Sequence, residues 1–262
     1  MKADFNGVSF REMKSFLDEK ADSFNALHFI EADPVSVPHR FSKKEDIEIA
    51  AFLAASIAWG NRKSIVNNAN RMMVLMDESP YDFITNHTLS DLKRLKGFVH
   101  RTFNSDDFVQ FVRSLNHIYN NHSGLESVFT CGIQGQINSQ NAIAEFKQKF
   151  FGQKHLARTQ KHISDPTQGS SAKRINMFLR WMVRSDSKGV DFGIWKNISP
   201  SVLSIPLDVH TGNIARKLGL LERKQNDWKA VEELDVVLRS FDPHDPVKYD
   251  FALFGLGAIE KF

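Results

Sequence analysis

The sequence holds a single cysteine, Cys131, so it can form no internal disulfide, no cysteine-rich zinc site and no iron–sulfur ligand set. Glycine (14 of 262 residues) and proline (8) are too sparse for collagen-like or low-complexity classes. No long apolar run is present. The longest, Ile49 to Trp59, spans 11 residues including Ser56, well short of a membrane span. The opening stretch MKADFNGVSFREMKSF lacks the apolar segment of a secretory signal, so the expectation is a cytoplasmic protein with no membrane partner. What is present is 42% hydrophobic and 25% charged, ordinary for a globular chain long enough to bury a sizeable core.

Neither sign of charge dominates: 34 basic against 31 acidic residues leave +3. The distribution is uneven. Residues 167–224 carry 10 Lys/Arg against 4 Asp/Glu (+6), and residues 225–262 carry 4 against 8 (−4). A concentrated positive segment fits a nucleic-acid footprint or a solvated helix face, and charge alone leaves both open.

Helical periodicity dominates the chain. Phe10, Met13, Phe16 and Leu17 form one apolar stripe, and Phe108, Phe111, Val112, Leu115, Ile118 and Tyr119 form a cleaner one. Trp228, Val231, Leu234, Leu238 and Phe241 repeat the pattern behind Asp227, a suitable N-cap. Ser42 to Glu45 has the form of a capping box, and Asp245-Pro246 pairs an N-cap with a first-turn proline. Gly132 to Asn141 reads as a loop, and alternating strand patterns with hairpin turns are missing. The expectation is one all-α chain over 1–262, of about ten helices. Possible lobes are 1–76 with 225–262, and 77–224.

Two segments carry chemistry. In Ser170 to Met182, residues Ala172, Ile175, Phe178, Leu179 and Met182 fall on one helix face, and Lys173, Met177, Arg180 and Arg184 line the opposite one. Gly169-Ser170 supplies a flexible turn and a cap. Lys173 then stands in the first turn, where the positive helix end and neighbouring Arg174 disfavour a further cation, the condition under which an amine serves as nucleophile. A surface lysine is the plainer reading. In Ile205 to Gly219, Asp208 reads as the N-cap of a helix that Gly219 stops. Asp208 and His210, two apart, are poorly spaced to chelate one metal, so no metal site is expected.

Leu207-Asp208-Val209-His210-Thr211-Gly212, followed by Ile214-Ala215-Arg216-Lys217-Leu218-Gly219-Leu220, resembles the "V-D-T-H…R-L-G-L" helix of the helix-hairpin-helix DNA glycosylases. Ala50 to Ser56 through Asn67-Asn68-Ala69 is similar to their early helix pair, and Asp250 to Gly257 to their final helix. The resemblance covers about residues 43–76 and 167–257, in the same order. The chain departs from the family at the hairpin, usually "L-P-G-V-G-x-K-T-A" and here Gln168-Gly169-Ser170-Ser171-Ala172-Lys173-Arg174. It also separates Lys173 from Asp208 by 35 residues, so that 185–204 reads as an insertion. These departures are closer to the archaeal 8-oxoguanine glycosylase branch, or to a bacterial family of the same superfamily with no assigned chemistry.

The resemblance implies an all-α helix-hairpin-helix glycosylase-like fold, with two helical lobes and a cleft between them. It implies a monomeric base-excision enzyme acting on an oxidised purine in damaged double-stranded DNA, without cofactor. Lys173 would be the nucleophile and Asp208 the acid that assists it. Trp59, Asn61 and Arg62 would wall the slot for an extruded base. Gly169, Ser170, Arg180, Arg184, Arg216 and Lys217 would hold the DNA backbone. Two other readings stay open: a non-catalytic nucleic-acid-binding module, and an all-α interaction protein.

Overall fold

Phe10 and its partners do line a helix, α1 (Phe10–Phe24), which opens with a capping box: Ser9 accepts from the Glu12 amide, and Glu12 accepts in return. A computed structural model describes residues 4–262, and within them the chain is mostly helical. The helices that follow are α2 (Lys44–Ser56), α3 (Arg62–Leu75), α4 (Pro80–Asn86), α5 (Leu89–Arg94), α6 (Ser105–His122), α7 (Gly124–Ile133) and α8 (Gln140–Phe150). The last four are α9 (Lys173–Val183), α10 (Val209–Lys217), α11 (Trp228–Phe241) and α12 (Tyr249–Gly255). The absence of strands expected from the sequence is corrected by two miniature hairpins. These are β1 (Asp4–Phe5) with β2 (Val8–Ser9), and β3 (Val99–His100) with β4 (Phe103–Asn104), each strand too short for an alternating pattern to register. Among the described residues no helix is long and apolar enough to cross a membrane.

The chain forms two compact units. One comprises residues 1–29, 136–140 and 165–262, the other 30–135 and 141–164. The divisions fall at 29/30 and 164/165 rather than at 76 and 224, because α2 and α3 pack with each other and α2 also packs with α4.

In the second unit α2 is apolar all round. Every residue from Ile47 to Ser56 is buried, which places this helix at the centre. Phe52 packs against Phe111, Phe146 and Phe150, and each such ring contributes roughly 1.5–3 kcal/mol by leaving water. Gly132 lies inside α7 and not in a loop, and the connection to α8 shrinks to 134–139. A Cβ at Gly132 would sit 2.7 Å from the Ala142 backbone, so the glycine lets the two helices close.

In the first unit α12 packs on α1 and α10. Phe5, Phe10, Phe241 and Tyr249 form an aromatic cluster at the end of α11. Asp227 caps α11 through the Ala230 amide, as its position predicts. Two other expected caps fail. α2 starts at Lys44, so its cap is Lys43, whose side chain has nothing to accept with and lies over the Tyr81 ring instead. Asp245 makes no cap bond at Pro246 because its carboxylate is taken by Arg184, 2.9 Å away.

Candidate active site

A turn built from residues 165–172 leads into α9. The Asp165 carboxylate accepts from the Thr167 amide, and Gly169 turns the chain at φ +87° with open space before it. The Gly169 carbonyl accepts from the Trp228 amide at 3.0 Å, and Ser170 bridges to Asp227, so the first turn of α11 clamps the loop. Ala172, fully buried, takes the left-handed region at φ +47° and caps α9 with no side-chain bond. For a residue with a Cβ this conformation costs about 1 kcal/mol or more, and it aims α9 so that Lys173 is its first residue. The expected cap from Ser170 is absent, since its hydroxyl accepts from the Ala172 amide within the turn.

Asp208 caps α10: its Oδ1 accepts from the Thr211 amide at 3.0 Å. Three further bonds fix its backbone. The Ser171 hydroxyl donates to the Leu207 carbonyl at 3.3 Å, the Asn226 amide to the Asp208 carbonyl at 3.1 Å, and Arg216 holds Asn226 at 2.6 Å. Gly212 makes room for this, because a Cβ there would lie 2.7 Å from the Asn226 carboxamide. The turn before α9 and the cap of α10 thus share a direct bond across the 35-residue spacer. Their side chains meet: the Lys173 Nζ stands 3.8 Å from the Asp208 Oδ2, with 26% and 23% of each side chain exposed. The amine also lies 3.6 Å from the Met177 sulfur. Asp208 therefore divides its work, one oxygen capping the helix and the other facing the amine.

Further along the same face of α9 the arrangement changes. Arg180 is buried, paired with Asp250 through Nη1 and with Asp191 at 3.3 Å, and its guanidinium lies 4.3 Å from the centre of the Phe251 ring. Arg184, also buried, contacts Asp186 at 2.5 Å, Asp191 at 3.2 Å and Asp245 at 2.9 Å. Burial pushes Asp250 up to about 6, with the neighbouring Asp208 charge adding to the rise and Arg180 opposing it. Burial likewise raises Asp191 and Asp245 against the pull of the arginines, and lowers Arg174 to about 10. Every rung of this ladder runs from α9 to a carboxylate, open at Lys173 and dry below Met177.

A model of a family of proteins of unknown function (DUF2400) matches residues 33–259. The chain belongs to the DUF2400 family. No curated protein and no solved structure matches it. The DUF2400 match contains the whole ladder, from Lys173 and Asp208 to Asp245 and Asp250.

Several residues expected at a DNA surface are elsewhere in this DUF2400 chain. Arg180 and Arg184 are 3% and 5% exposed and spent on buried carboxylates, so neither can reach a phosphate. Arg216 donates to the Arg223 carbonyl and to Asn226, bracing the turn after α10. Lys217 is exposed, over the Phe262 ring. Gly169 is exposed, yet the amides of Gly169, Ser170 and Ala172 all donate within the turn, so the expected amide cradle for a phosphate is already filled there.

Trp59, Asn61 and Arg62 lie in the second unit, at the turn between α2 and α3. The half-buried Trp59 indole stacks on His162 at 5.8 Å and meets the edge of His100 at 5.2 Å. Asn61 caps α3 by accepting from the Ser64 amide, and Arg62 is the first residue of that helix. Sequence reading missed Asp191, Asp245 and Asp250 altogether. Asp191 comes from the spacer 185–204, which folds back on α9 as the Phe192 and Trp195 amides donate to the carbonyls of Trp181 and Met182.

Proposed function

We propose that this DUF2400 chain is a DNA base-excision N-glycosylase with lyase activity, of helix-hairpin-helix glycosylase-like fold, acting on an oxidised purine. The observation that carries the reading is the meeting of Lys173 and Asp208, each at a helix N-terminus and each partly open to solvent. At 3.8 Å the pair is near but unlocked, and an exposed ion pair of this kind contributes only about 0–1 kcal/mol, so the amine is free to leave its partner for a substrate. As the glycosidic bond breaks, its electron pair leaves with the base nitrogen, which takes up a proton. Asp208 stabilises the positive charge then developing on the sugar. The Lys173 amine bonds to C1′, and ring opening gives an imine. Loss of a C2′ proton then expels the 3′ phosphate. The buried arginines add nothing to DNA affinity, so the reading rests on the pair and not on the basic excess of residues 167–224.

The test is borohydride trapping on a duplex bearing 8-oxoguanine or an abasic site. The expected result is a covalent adduct that vanishes in Lys173→Ala and slows by about a hundredfold or more in Asp208→Asn. A folded wild-type protein that forms no adduct across a broad lesion panel overturns the proposal.

A further inference from the structure

Below its open rung the ladder holds more acid than base. Arg180 and Arg184 face Asp186, Asp191, Asp245 and Asp250, two cations among four carboxylates. A surplus of negative charge in a water-poor region makes at least one carboxyl easy to protonate. Asp250 is placed to pass that state on. It is 5% exposed, Arg180 holds it from α9, and the charges of Lys173 on α9 and Asp208 on α10 both act on it. Elsewhere on α12 and its lead-in, Tyr249 and Lys248 are occupied by Asp18 of α1, and Lys248 also by Asp242.

We infer that Asp250 is a positioning residue which, held by Arg180 behind the open pair, sets how readily the Lys173 amine gives up its proton. It touches no substrate in this role. An ionised Asp250 adds a negative charge behind Lys173 and favours the ammonium, and a protonated Asp250 withdraws that charge and favours the free amine. The catalytic meaning of this rests on the glycosylase reading, but the electrostatic coupling does not.

The experiment is reductive methylation of the DNA-free protein with formaldehyde and a borohydride, followed residue by residue by mass spectrometry, with exposed Lys217 as internal reference. In Asp250→Asn, which keeps an oxygen for Arg180, Lys173 should label about three- to tenfold faster at pH 7.5 while Lys217 is unchanged. An unchanged ratio of Lys173 to Lys217 labelling overturns the inference. Should that variant not fold, the wild-type Lys173 profile between pH 5 and 9 decides: a step near pH 6 supports the coupling, and a curve for one isolated amine refutes it. Labelling needs no nucleic acid. A shifted label with no borohydride adduct therefore sinks the enzyme reading alone, and an adduct with unshifted labelling sinks this inference alone.

Discussion

The two ends of the charged face of α9 are made of the same residue types and do opposite things. At the N-terminal end Lys173 meets Asp208 at 3.8 Å with water beside both. Two and three turns on, Arg180 and Arg184 are closed off and share four carboxylates. Solvent makes the difference. A pair that keeps its water gains little by touching and loses little by parting, so it is available for chemistry. A buried pair cannot part, because either charge left alone would be stranded without water.

Four measurements break or sharpen this contrast, and their effects on stability should fall from the dry end to the wet one. Arg184→Ala strands Asp191 and Asp245 and should cost about 3–5 kcal/mol, read as a lowered urea midpoint or outright failure to fold. Gly212→Ala drives a methyl against Asn226 and should cost about 1–3 kcal/mol, loosening the strut beneath Asp208. Asp208→Ala removes the cap of α10 for about 1 kcal/mol, whereas Asp208→Asn keeps the acceptor and costs less. Lys173→Ala should change stability by less than about 1 kcal/mol while removing all trapped adduct. A Lys173→Ala protein as unstable as Arg184→Ala would erase the distinction between the ends.

The dependence on pH carries the same signature. Asp250 and Asp235, both buried, titrate near 6 in the folded chain, above the usual carboxylate range. The folded state therefore binds more protons than the unfolded one between about pH 4 and 6. Their contribution is present at the acid side of that window and lost as pH rises through it. Asp227, held down to about 2 by Arg223 and the α11 cap, acts in the other direction: its contribution is lost as pH falls from about 4 toward 2. Urea midpoints at pH 7, 5 and 3 should rise and then fall, and Asp250→Asn should flatten the first step.

Much of the local structure was legible in the residues. The stripes of α1, α6 and α11 and the caps at Asp208 and Asp227 are short-range features in which a few neighbouring residues set the outcome. The lining up of Lys173, Met177, Arg180 and Arg184 was also legible, being helix geometry. What covers that line was not. The same arginines read as a DNA-facing surface from sequence and as a buried lattice in the fold, because burial depends on the spacer 185–204 and on α12 arriving from elsewhere in the chain. A trace was nonetheless present: the +6 of residues 167–224 adjoins the −4 of 225–262, and part of that opposition is Arg180 with Asp250 and Arg184 with Asp245. Asp245 shows the converse, a good cap by local rules that a distant guanidinium takes instead.

By itself the sequence determined which stretches are helical, where Asp208 caps, and that one amine begins α9, since each of these is decided within a turn or two of backbone. Only the tertiary structure decided that an amine and a carboxylate 35 residues apart meet in partial solvent while their neighbours pair in the dry interior. Proximity across a spacer and access to water are properties of packing, and no short window of residues contains them.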